Sequence, residues 1–124
     1  MNIITLLNAG RVFGQLMQVK TSPKLAYKIM KFCKGIEAEE EFYNNKRSEI
    51  IQMYATKDAN GQPIIENGTV SIIEDKITEA NAAMQELNNM DVDMPNVRFT
   101  LSELEELKLS ASDMYALDDF IDGE

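Results

Sequence analysis

Carboxylate groups and a single thiol are the side chains whose types and spacing could carry chemistry in this sequence. Asp91 with Asp93, Asp118 with Asp119, and Glu37 with Glu39, Glu40 and Glu41 are the kind of pairing that acid–base or two-metal catalysis requires. The glutamate run reads as the solvated face of a helix. Asp118 and Asp119 fall on the outer side of a C-terminal helix. Asp91 and Asp93 lie in a loop where Ca²⁺ or Mg²⁺ could bind, but the EF-hand spacing and its distal glutamate are missing. Cys33 directly follows Phe32 on an apolar stripe, so it reads as a small core side chain. Exposed beside Lys31 and Lys34, the same thiol would be acidified and reactive. The chain has no histidine, which removes Ser-His-Asp and Cys-His catalysis, most zinc sites and the usual general base near neutral pH. Its six glycines are scattered and build neither a phosphate-binding loop nor a dinucleotide fingerprint. The expectation is a protein that is not an enzyme, with no catalytic residue, no cofactor and no metal.

Charge offers a different kind of site. The formal net charge of −9 is unevenly spread: residues 1–34 hold six bases and no acid, and all 21 acids follow. Lys20, Lys24, Lys28 and Lys31 recur at helical spacing, with Lys34 extending the row and Tyr27 beside it. The preferred reading is that this basic segment lies against the acidic remainder. A second reading presents the lysines to nucleic acid or a protein partner. The total charge speaks against direct binding to a polyanion, and no aromatic platform accompanies the lysines. A third makes the acidic part a decoy imitating a phosphate backbone. That reading needs Glu37, Glu39, Glu40, Glu41, Asp118, Asp119 and Asp122 on one contiguous face.

The elements that must position these residues are mostly helical. Residues 6–19 show 3–4 spacing at Leu6, Ala9, Phe13 and Leu16, and Gly10 and Gly14 point to close approach of another backbone. Ser22 and Pro23 start the next helix as N-cap and first helical residue. Leu25, Ile29, Phe32, Ile36, Tyr43, Ile50 and Tyr54 then keep a near-heptad seam, predicting one long central helix over 23–56 that continues through Gly35. The seam is long enough for a homodimer through Leu25, Ile29, Phe32 and Ile36. Residues 57–62 form a turn, and Asn67-Gly68 predicts a hairpin with strands near 63–66 and 69–72. A helix over 74–89 follows, with Asp75 as its cap. Next come a loop, a short strand at Val97–Phe99 and two capped helices. Thr100 with Glu103 heads the first and Ser110 with Asp113 the second. The fold class is mainly α: a long central helix, shorter helices packed on it and one small β-hairpin.

At 124 residues with 44% hydrophobic content, the chain is of single-domain size and able to bury a core without staples. The one cysteine excludes an internal disulfide. No apolar run approaches the length of a membrane span, and the N-terminus lacks the order of charges and the small-residue site of a secretory signal. The expectation is a cytoplasmic protein without membrane association.

The order of elements over residues 23–121 resembles the DUF1617 family of small phage and prophage proteins, a family of unknown function. The resemblance rests on two places. One is the polar turn and hairpin after a helix ending in Tyr54-Ala55. The other is the closing string Leu107-Lys108-Leu109-Ser110 with Asp113, Ala116 and Leu117. It implies a phage setting and no functional residues. The function expected on this basis is a phage-encoded protein-interaction factor, a virion-assembly or tail-region accessory with a phage or host protein as partner. It would reside in the host cytoplasm or on the virion. The alternative is the acidic decoy, inhibiting a host nucleic-acid-binding or defence protein.

Overall fold

The computed structural model describes residues 1–123. It is mainly helical, with one two-stranded antiparallel hairpin. Its residues fall into two compact units, Met1–Glu40 with Asp91–Glu124, and Glu41–Met90.

In the first unit, α1 spans Ile3–Leu16. It begins three residues before the expected start because Asn2 caps it, its side-chain oxygen accepting from the Thr5 N–H. The helix α2 spans Pro23–Gly35, with Ser22 accepting from the Leu25 N–H and Pro23 in the first turn, as its sequence predicts. The expected long central helix over 23–56 is two helices instead. The second, α3, spans Glu37–Tyr54, and Ile36 stands between them at φ −107° and ψ 3°. Gly35 is a poor helix former, and Ile36 leaves helical geometry while its side chain packs into the core at 1% exposure. That side chain occupies the space a β-carbon on Gly10 would need. The close approach at Gly10 is therefore made by a side chain, not by another backbone, and Gly14 faces open space.

The core of this unit is aromatic. The Phe32 ring lies 4.7 Å from Phe13, 6.4 Å from Phe99 and 4.9 Å from Phe120, the last edge-on at 83°. Around these rings pack Leu6, Val12, Leu25, Ile29, Leu104 and Leu117. Leu25, Ile29, Phe32 and Ile36 are all at most 2% exposed, so the stripe long enough to allow a homodimer is consumed by the chain's own core. Phe99 makes a single parallel bridge to Ile121 in place of a full strand.

Two short helices close the unit. The helix α5 spans Leu101–Leu104 and runs into a 3-10 turn over Glu105–Leu107. Thr100 and Glu103 form the reciprocal capping box in full. Lys108 turns the chain with a left-handed φ of 52°. Ser110 then caps a second helix by accepting from the Asp113 N–H at 3.0 Å.

In the second unit, residues 41–54 of α3 are followed by the hairpin strands β1 (Ile65–Glu66) and β2 (Thr69–Val70). Asn67 and Gly68 carry φ of 53° and 78°, the two positive values that a type I′ turn requires. The strands are shorter than expected, but the chain leaving α3 pairs with the hairpin. The Thr56 N–H donates to the Ser71 carbonyl at 2.8 Å, the Ile64 N–H to the Thr56 carbonyl at 2.9 Å, and the Ile73 N–H to the Tyr54 carbonyl at 2.9 Å. Asp58 closes the preceding turn through the N–H groups of Asn60 and Gln62. A 3-10 turn over Glu74–Lys76 leads into α4, Ile77–Asn88. Asp75 lies inside that turn and does not cap the helix. Tyr43 on α3 donates its hydroxyl to the Asn88 side chain on α4 at 2.6 Å. Only Ala55, Ala80 and Leu87 are buried in this unit, and α3 contributes no buried residue.

Candidate interaction surface

The last α-helix, α6, spans Ala111–Leu117 and continues as a 3-10 turn over Asp118–Phe120. Leu117 and Phe120 are fully buried and pin this segment to the aromatic core. Ser110 fixes where it starts, and the left-handed turn at Lys108 fixes its direction. The string Leu107-Lys108-Leu109-Ser110 with Asp113, Ala116 and Leu117 therefore encodes the corner between α5 and α6. Two leucines anchor it, Lys108 turns it and Ser110 caps it.

Three grooves adjoin around α6. One, of about 410 Å³, is lined by Thr5, Asn8 and Arg11 of α1 and by Ser112, Tyr115, Asp118 and Asp119. The next, of about 590 Å³, shares Tyr115 and Asp118 and adds Leu101, Met114 and Ile121. The third, of about 350 Å³, shares Leu101 and Met114 and reaches Leu109 and Lys108. The surface thus passes from polar at Arg11 to apolar at Leu101 and Met114, with Tyr115 at the junction. Tyr115 is 87% exposed, an aromatic side chain held out from a fixed helix. Such a ring brings large contact area at low conformational cost and is enriched at protein interfaces.

The predicted site residues are dispersed. Lys20 lies in the connection before α2 and shares no helix face with the other lysines. Lys24 and Lys31 are exposed on α2, and Lys31 lies 5.9 Å from the Tyr27 ring. Lys28 is turned inward. Its ammonium meets Glu103 at 2.8 and 2.9 Å and lies 5.1 Å from the Phe99 ring. The basic segment and residues 91–124, with ten acids and two bases, fold into the same unit, and the Lys28–Glu103 pair ties them. Glu37, Glu39, Glu40 and Glu41 all sit near the start of α3, where negative charge suits the helix dipole. One oxygen of Glu39 is buried without a hydrogen bond. Asp118 and Asp119 line the groove that holds Arg11. Asp122 is bound by Arg98 at 2.6 Å, and that hydrogen bond holds its carboxyl below the usual range.

Cys33 is half-buried against the core. Burial raises its pKa, and Glu40 and Glu37 raise it further. Burial first and then these carboxylates, not Lys31 and Lys34, set its character, which is that of an inert thiol near neutral pH. Burial and Glu37 likewise push the Glu40 carboxyl up. Among the described residues, no group of three or more histidine, cysteine or acidic side chains is placed to hold a metal, and no helix is long and apolar enough to cross a membrane.

The Lys28 pair makes a pH prediction. The hydrogen bond from Lys28, aided by the Thr100 N–H and hydroxyl, holds the Glu103 carboxyl below its ordinary range. A carboxyl depressed on folding adds stability above its unfolded pKa of about 4.3, and that stability is lost as pH falls through the depressed value. Glu103→Gln keeps an acceptor for the capping box and removes the charge. Its deficit in urea midpoint relative to wild type should be largest at pH 6 and shrink toward pH 3. An undiminished deficit at pH 3 would assign the loss to packing instead.

The chain matches no family model, no curated protein and no solved structure. The surface around α6 therefore has to be judged on its own chemistry. Tyr115, Leu101 and Met114 did not stand out as a site in the sequence. The available signal was an aromatic residue displaced by one position from the Met114, Leu117, Ile121 stripe, since that displacement turns the ring away from the core.

Proposed function

We propose that this protein is a non-enzymatic, phage-encoded interaction factor that acts as a virion-assembly or tail-region accessory in the host cytoplasm. The observation that carries the interaction reading is the continuous surface around α6, where exposed Tyr115 joins an apolar strip at Leu101 and Met114 to a polar groove at Arg11. A small group of aromatic and apolar anchors rimmed by charges is the usual anatomy of a protein-binding patch. The phage setting rests on the resemblance of the hairpin and of the 107–117 string to the DUF1617 family. The acidic-decoy alternative draws less from the geometry, because Arg98 holds Asp122 and Arg11 shares a groove with Asp118 and Asp119.

The test is a tagged pull-down from phage-infected cells, with and without nuclease, comparing wild type with Tyr115→Ala. Recovery of phage structural proteins, insensitive to nuclease and lost in the variant, is the expected result. Recovery of a host nuclease or repressor that salt releases steeply would replace this reading with the decoy.

A further inference from the structure

The second unit leaves most of its apolar side chains half-exposed or exposed, with only Ala55, Ala80 and Leu87 buried over residues 41–90. On α3, the inner side carries Tyr43, Ile50 and Tyr54, and Tyr43 is bonded to Asn88 of α4. A second row runs beside it: Phe42, Lys46, Glu49 and Met53, spaced by 4, 3 and 4 residues. These four share one helix face. All four are exposed, Phe42 at 38% and Met53 at 67%. Lys46 lies 5.9 Å from the Phe42 ring and 3.2 Å from Glu49.

The row is complementary to itself when reversed. Phe42 and Met53 are equidistant from the midpoint between Arg47 and Ser48, and so are Lys46 and Glu49. Two α3 helices running antiparallel about a two-fold axis at that midpoint place Phe42 against Met53 of the second copy. Lys46 then stands against Glu49 of the second copy. One layer is a thioether on an aromatic ring, which is a favourable contact. The other is an opposite-charge pair. In a parallel pairing, lysine would face lysine and glutamate would face glutamate. Beside the row, Phe42, Lys46 and Ile50 of α3 and Ala83, Leu87 and Met90 of α4 line a groove of about 590 Å³, open to an unbranched side chain arriving at Phe42.

We infer that the protein self-associates through this row as an antiparallel, two-fold homodimer, with Met53 of each copy seated at Phe42 of the other. An isologous interface follows from the symmetry. Few turns of helix are involved, so the interface is smaller than that of a permanent dimer, and association depends on concentration.

Sedimentation equilibrium over a wide concentration range tests this, with circular dichroism confirming that each variant folds. Wild type shifts from one chain toward two as concentration rises. Met53→Glu and Lys46→Glu each weaken dimerisation by about tenfold or more, and Lys46→Glu/Glu49→Lys recovers most of it, since the swap restores opposite charges across the axis. Register is read by oxidative cross-linking in a Cys33→Ala background. Phe42→Cys/Met53→Cys gives a covalent dimer. Met53→Cys alone does not, because the two Met53 positions lie about 16 Å apart along the axis. A chain that stays monomeric at every concentration, a dimer indifferent to both single variants, or cross-linking by Met53→Cys alone would overturn the proposal.

Discussion

Phe32→Ala is expected to cost about 3–5 kcal/mol, the upper range for truncating a buried aromatic residue. Phe32 is fully buried, and its ring meets Phe13, Phe99 and Phe120 at centroid distances between 4.7 and 6.4 Å. Those partners come from α1, from the bridge to Ile121 before α5 and from the 3-10 turn after α6, so one side chain joins parts of the chain far apart in sequence. The cavity left by alanine would be lined by rings that the surrounding helices hold in place, and such a site collapses poorly. Loss on this scale is a large fraction of the stability of a domain this size. Urea unfolding followed by circular dichroism at 222 nm should show a much lower midpoint, or no folded baseline for the first unit. A loss near 1 kcal/mol would mean that the rings can repack, and would remove Phe32 from the centre of this core. Phe32→Leu, which keeps most of the apolar volume, should lose substantially less.

Local chemistry was readable from the sequence where one or two residues decide it. Ser22-Pro23, Thr100 with Glu103, Ser110 and Asn67-Gly68 each specify a helix start or a turn through their own side chain or backbone freedom, and each forms in the structure. The seam at Leu25, Ile29, Phe32 and Ile36 correctly marks buried positions. What periodicity could not convey is what buries them. The stripe keeps its phase across Gly35, so a pattern of spacings continues smoothly through a junction at which the backbone does not. The break at Ile36 is fixed by a tertiary contact, the fit of its side chain over Gly10, and that pairs residues 26 positions apart.

The lysine row was misleading for a related reason. The lysine row appears as one face when the helix is drawn alone, but Lys20 precedes the helix and Lys28 turns inward to Glu103. Residues 1–34 and 91–124, which carry opposite net charge, belong to one compact unit, and the Lys28–Glu103 pair joins them. The surfaces with free apolar area were less legible. Tyr115 on α6, and Phe42 and Met53 on α3, each sit one position off an apolar stripe. A reading that collects stripes assigns such residues to background, yet a one-residue offset rotates a side chain by about 100°, which is enough to move it from core to solvent.

The second large effect is expected at Gly10. Gly10→Ala adds one β-carbon where the Ile36 side chain already lies, and both residues are buried. In an exposed helix the substitution would stabilise by up to about 1 kcal/mol through backbone entropy. Here overpacking opposes that gain, typically by about 1–3 kcal/mol, because the end of the Ile36 side chain has no solvent to move into. The net expectation for Gly10→Ala alone is destabilisation. Ile36→Val removes the terminal methyl that meets the new carbon, at a cost of about 0.5–1.5 kcal/mol on its own. In the Ile36→Val background the collision is gone, so Gly10→Ala should become neutral or stabilising. The two changes should therefore be strongly coupled, with an interaction energy of about 1–3 kcal/mol favouring the double variant. Urea midpoints for the wild type, the two singles and the double measure that energy directly. If the effects merely add, Ile36 is not seated on Gly10, and the cause assigned to the α2–α3 junction fails with it.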